Sequence, residues 1–187
     1  MVYGSKFLAI VLVGFVMANL VIGSGVANQI IKGYFNFEFD KYFTDLYLIE
    51  FPEYVELAML AFFMHILVNQ KFLGHILTIG LWFLLGSIQS FAEISYNLFF
   101  FNYFPNYRIS DMNGFGHFAT PLFWFHFNWL ALGALLLVLG NLFWNRGSED
   151  AFKARWQLMK QRLSGKSYAW LTLFTVLWLG ASAYIYY

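Results

Sequence analysis

The polar positions of this chain gather into clusters, and long stretches without charge run between them. Residues 7–29, 72–92, 121–145 and 167–187 carry no Asp, Glu, Lys or Arg. A fifth stretch, residues 52–70, carries only Glu53 and Glu56, near its start. Each is near the ~20 residues that a helix rising ~1.5 Å per residue needs to cross ~30 Å of hydrocarbon. None alternates with the two-residue period of a barrel strand. The pattern predicts an all-α integral membrane protein, one transmembrane domain over residues 1–187. About five transmembrane helices are expected, at 7–29, 52–70, 72–95, 121–145 and 167–187. The first is too long for a signal peptide, lacks a clear small-residue cleavage site, and is preceded only by Lys6. Its Gly14/Ala18 and Gly23/Ala27 pairs have the spacing that lets a neighbouring helix approach closely.

Three segments do not fit a span. Residues 30–50 mix aromatic and acidic side chains, which predicts an interfacial segment on the outer face with a helix from about Phe37 to Ile49. Pro52 is then expected to open the second helix, with Glu53 and Glu56 at its positive N-terminal end. Residues 101–120 hold the turn formers Pro105, Asn106, Asn113, Gly114 and Gly116 and read as a second outer loop, long enough to fold back onto the membrane surface. In residues 151–164, Phe152, Trp156, Met159 and Leu163 recur at spacings of four, three and four, with Lys153, Arg155, Lys160 and Arg162 off that line. This predicts a basic amphipathic helix on the inner surface, either a lipid anchor or a docking element for a cytoplasmic partner.

Composition narrows the class. Sixty per cent of the 187 residues are hydrophobic, 23% aromatic and 11% charged, against about 25% charged in an ordinary soluble domain. Mean hydropathy is +0.60. These values exclude a water-soluble enzyme and a disordered chain. A net charge of +1 supplies no basic surplus for nucleic acid. The absence of cysteine removes disulfides, thiolate metal sites and a cysteine nucleophile. Lys and Arg set the orientation. Lys6, Lys71, Arg146, Lys153, Arg155, Lys160, Arg162 and Lys166 fall on one side of the five-span topology; only Lys32, Lys41 and Arg108 fall on the other. The expected arrangement is multi-pass in the bacterial inner membrane, N-terminus cytoplasmic and C-terminus periplasmic, with the lipid bilayer as a partner. Tyr184, Tyr186 and Tyr187 then sit at the outer interface.

Candidate chemistry is sparse. Glu93 lies among Gln89, Ser90, Ser95 and Asn97. The group Gln89, Glu93 and Asn97 either lines a polar pathway on the outer side or marks where the third helix leaves the bilayer. The ionisable residues Glu53, Glu56 and Glu93 are all expected at helix ends. His65 and His75 flank the short turn at residues 69–74 and either face each other across a helical hairpin or pack as polar groups near the headgroups. Asp111, His117 and His126 lie on or near the outer face. Three such groups can bind a metal, but spacings of six and nine fit no standard pattern, and there is no HExxH sequence. No bound metal, no cofactor and no enzymatic activity of this chain are expected.

The stretch SDMNGFGH at residues 110–117, which includes Asp111, Asn113 and His117, and the following WFHFNW at 124–129 resemble one bacterial family. So do HILVNQKFLGH at 65–75 and LFWNRG at 142–147. The chain resembles, from about Lys6 to Tyr187, the membrane portion of large Bacteroidetes proteins that join an ABC-exporter-type permease to a zinc aminopeptidase of the aminopeptidase-N type. The resemblance implies a permease-like domain working with a separate cytoplasmic ATP-binding-cassette ATPase, possible homo- or hetero-oligomerisation included. The first four helices would correspond to the last four spans of a six-helix permease. The outer loop before the final span would carry short re-entrant helices. The peptidase residues have no counterparts here, and the chain ends about where that domain would begin, as expected of a membrane fragment or a reduced relative. The alternative expectation is a non-transporting anchor for an extracytoplasmic peptidase or another partner. In the docking reading, Arg155, Trp156 and Arg162 would meet the ATPase.

Overall fold

Backbone groups in hydrocarbon have no water to bond, so an apolar chain of this kind satisfies them inside helices. The computed structural model describes residues 2–91, 96–110, 114–145 and 152–187. Among them there is no strand, only an isolated bridge between Ser110 and Gly114. The helices are α1 (Val2–Ile31), α2 (Phe39–Asp45), α3 (Phe51–Val68), α4 (Lys71–Phe91), α5 (Ala119–Phe143), α6 (Phe152–Arg162) and α7 (Gly165–Tyr186). Four continuous helical stretches are long and apolar enough to cross a membrane: Val2–Ile31, Phe39–Val68, Gly116–Phe143 and Gly165–Tyr186. In α4, the segment Lys71–Leu85 is a shorter apolar helix.

The helix α5 sits at the centre, between α3 and α7. It is apolar around its whole circumference, as a helix enclosed on several sides must be, and Leu122, Trp129, Ala131 and Leu142 are buried. The outer helices differ. In α1 only Gly14 is buried; an added Cβ there would collide with the ring of Tyr54, whose hydroxyl donates to the Ile10 carbonyl at 3.0 Å. Of the two small-residue pairs, the one containing Gly14 therefore meets α3, whereas Gly23 has no atom within 4 Å of such a Cβ.

The second predicted helix starts earlier than its proline. Residues Leu46–Glu50 form a π-helical turn that joins α2 to α3 without a break, and the Phe51 N–H reaches five residues back to the Leu46 carbonyl. Pro52 has no N–H to give the carbonyl four residues before it and would crowd that carbonyl; the wider turn absorbs both defects. The expected interfacial segment is thus largely the first part of a continuous 30-residue helix, and Glu53 and Glu56 do not sit at its N-terminal end. At its other end α3 stops on Asn69 in the left-handed conformation (φ 57°), whose N–H caps the His65 carbonyl. Two residues later α4 begins, forming the expected hairpin.

Lys6, Lys71, Lys166 and the cations of α6 gather at the end of the bundle near the start of the chain. The Tyr3 hydroxyl donates to the Leu137 carbonyl near the end of α5 at 2.6 Å. Phe62, Ile66 and Phe143 form a core there with Tyr3, Phe7, Leu137, Trp144 and Met159 around it. At the opposite, acidic end, Tyr96 donates to the Ile185 carbonyl at 3.3 Å, and Trp124 packs on Tyr184 with ring centroids 4.3 Å apart. The chain therefore begins at one end of the bundle and finishes at the other.

The helix α6 lies across the basic end, but it does not present its cations as the sequence spacing suggests. Arg155 is 3% exposed, and its Nη1 donates to the Ile66 carbonyl in the last turn of α3 at 2.8 Å. Arg162 donates from Nη1 to the Leu142 carbonyl at 3.3 Å and to the Trp144 carbonyl. The carbonyls at a helix C-terminus lack intrahelical donors; Arg155, expected to face outward, is buried to supply one, and Arg162 supplies others while staying exposed. Phe152 and Trp156, expected to be buried in lipid or protein, are 53% and 42% exposed while stacking on Phe143 at 6.2 and 5.9 Å.

Candidate functional site

Continuity from α2 into α3 places Glu56 well inside a helix, and its position directs it at α5. It is wholly buried. Its Oε1 lies 2.9 Å from Nδ1 of His126, which is 6% exposed. Its Oε2 accepts from the Nδ2 of Asn102 at 3.0 Å. The same amide nitrogen also donates to the Glu53 carbonyl at 3.1 Å. Asn102 reaches this point because the loop after α4 dips into the bundle: Phe100 is 3% exposed and Asn102 8%. Asn102 adopts a left-handed backbone (φ 62°), which asparagine tolerates better than most residues. Trp129 fixes the returning strand of the loop by donating from Nε1 to the Tyr103 carbonyl at 3.1 Å.

The ring of Phe104 covers His126 with centroids 4.3 Å apart. Two cavities flank the cluster. One, of about 310 Å³, is apolar apart from Thr44 and His126 and is walled by Leu48, Pro52, Leu122 and Phe127. The other, of about 320 Å³, is lined by Glu53, Trp82, Asn102 and Tyr107. One proton must lie between Glu56 Oε1 and His126 Nδ1, and the imidazole's second nitrogen, Nε2, is buried with no partner among the described residues. The arrangement can hold a proton on either of two groups. Two residues further along α5, the fully buried Asn128 accepts from Ser182 of α7 at 2.7 Å.

Near the mouth of this end, the Tyr107 hydroxyl donates to Asp45 Oδ1 at 3.3 Å. Partial burial, then the charges of Asp45 and Glu50, push its phenol up to about 12 from the ordinary 10.0.

The residues singled out from the sequence are scattered by the fold. His126 belongs to the buried cluster and not to the outer loop, because it is seven residues inside α5. His117 is exposed on the short turn before α5, its ring 4.0 Å from that of Phe118. Asp111 and Asn113 lie outside the described residues. Among the described residues no three His, Asp or Glu side chains are placed to hold a metal ion. Gln89 falls on α4 with its side chain outside what is described, Glu93 lies outside the described residues, and Asn97 opens a short 3₁₀ turn, Asn97–Phe99. The described part of the loop before α5 is extended with two such three-residue turns, not the re-entrant helices that the resemblance implies. His65 and His75 do face each other across the hairpin, with ring centroids 4.3 Å apart and rings nearly perpendicular.

Asn102, Asn128 and Ser182 escaped the sequence reading, as did the pairing of Glu56 with His126. One signal could have found the pair: each is an ionisable residue within an otherwise apolar stretch, and such residues are costly unless they have a partner. No protein family matches this chain, and it matches no curated protein and no solved structure.

Proposed function

We propose that this chain is a permease-like membrane subunit of an exporter-type transport system, driven by a separate cytoplasmic ATP-binding-cassette ATPase and oriented with its basic end toward the cytoplasm of a bacterial inner membrane. The observation that carries this reading is the buried Glu56–His126–Asn102 cluster between two cavities. A passive anchor needs no ionisable group inside an apolar helix, and such a group weighs against stability unless it serves a pathway. The split of basic residues between the two ends supports the orientation. The resemblance at residues 65–75, 110–117 and 124–129 supports the choice of an exporter system.

The test is copurification with an ATPase from the source membrane, followed by substrate-stimulated ATP hydrolysis in the wild type and in Glu56→Gln. The expected result is an intact complex in both, with stimulation reduced at least tenfold by the substitution. Stimulation that survives Glu56→Gln removes the role given to the cluster. Failure to copurify any ATPase leaves the second reading, a membrane anchor for an extracytoplasmic peptidase or another partner. That reading draws support from α6, whose Arg155 and Arg162 cap helix ends of the same chain and so are less available to a cytoplasmic protein.

A further inference from the structure

A cavity of about 870 Å³ opens at the basic end between α1, α3 and α4. Its walls combine two kinds of surface. Ile10, Phe62 and Ile79 give it an apolar side, whereas Lys6, His65, His75 and Trp144 supply cationic or hydrogen-bonding groups, and no carboxylate among the described residues lines it. The Lys6 ammonium lies 5.0 Å above the Trp144 ring.

The Nδ1 of His65 bonds the Ala61 carbonyl at 2.8 Å, so Nδ1 carries the hydrogen and the ring is held at the cavity wall. His65 and Trp144 bound the same space. The position of His65 is set by sequence: an added Cβ at Gly74 would come within 2.8 Å of its ring, so glycine lets α4 close on it and brings His75 alongside.

We propose that this cavity binds the phosphate headgroup of an anionic membrane lipid. An anionic oxygen there pairs with the Lys6 ammonium. The neighbouring His75 adds a donor at the rim. The cavity lies where α3 and α5 end and α4 begins, which is headgroup level for helices of this length. The lipid's acyl chains run out along Ile10 and Ile79, beside the exposed apolar faces of α1 and α4. A free phosphate would leave that apolar side wet, so the lipid is the better fit. Charge complementarity on one side and apolar lining on the other are what an amphiphile requires.

The experiment uses the full chain in nanodiscs containing equal parts phosphatidylglycerol and phosphatidylcholine, released into mild detergent for native mass spectrometry. The wild type should retain one phosphatidylglycerol at least tenfold more than phosphatidylcholine. Lys6→Gln combined with His75→Gln should abolish the preference, and Lys6→Arg should keep it. Lys6 and His75 are both exposed, so folding should survive; circular dichroism and a thermal midpoint within a few degrees of wild type check this. As a second measurement, phosphatidylglycerol should raise the thermal midpoint of the wild type and not that of Lys6→Gln. Equal retention of the two lipids by the wild type overturns the proposal. So does undiminished preference in the double variant, or a midpoint shift that millimolar inorganic phosphate reproduces.

Discussion

Each end of the bundle buries polar groups, but the two ends treat them differently. At the acidic end Glu56 has both carboxylate oxygens engaged, one by His126 and one by Asn102, and three separate elements close around it. At the basic end Lys6, His65, His75 and Trp144 line an open cavity instead of closing on one another. A closed cluster costs little to keep folded but much to break, because removal of one member leaves the others buried and unpaired. An open one loses little when a member is removed and gains when something fills it. The acidic-end cluster thus ties α3, α5 and the loop into one unit, and the basic end is where a ligand has room.

The sharpest way to break this contrast is at Glu56. Replacing it with Leu should cost about 3–5 kcal/mol, the range for breaking a buried ionisable pair by removing one partner. Glu56→Leu with His126→Leu should recover part of that loss, since the imidazole is then no longer left buried without its partner. Thermal or denaturant unfolding in detergent measures both. A single variant as stable as the wild type would mean that the cluster is not closed.

A smaller loss is expected at Arg155, the one buried cation of the basic end whose hydrogen bond is already made. Arg155→Met removes a charge-assisted bond to the Ile66 carbonyl and should cost about 1.5–3 kcal/mol by the same measurement. Unchanged stability with lost ATPase copurification would instead make Arg155 a docking residue.

The smallest effect concerns the rim of the acidic end. Because the Tyr107 phenol is raised to about 12 from 10.0, the contact with Asp45 favours the protonated form. Its contribution is full below pH 10 and fades as the pH rises toward 12. The difference in tyrosinate absorbance between wild type and Tyr107→Phe should therefore have its midpoint above pH 10. A midpoint at or below 10 would show that Tyr107 does not donate to Asp45 in solution.

What the linear sequence determined is the helical class and most of the helix positions. Uncharged stretches of about 20 residues can satisfy their backbone in a membrane only as helices, and that rule needs no tertiary information. The predicted 121–145 and 167–187 fall close to Ala119–Phe143 and Gly165–Tyr186, and the short turn at 69–74 was legible too, whereas that His65 and His75 face each other across it was one of two alternatives and is seen only in the fold. The start of the second helix was misread because proline usually opens a helix; that a π turn could carry the chain past Pro52 depends on how Leu46–Glu50 packs. The same error hid Glu56, which looked like a first-turn acid suited to the helix dipole. Only the tertiary structure decided that Glu56 meets His126, seventy residues away, that Asn102 returns from a loop to join them, and that Arg155 and Arg162 donate to carbonyls at helix ends. A helical period states which residues share a face, but not which face another helix will cover, nor which carbonyls at a distant helix end will be left in need of a donor.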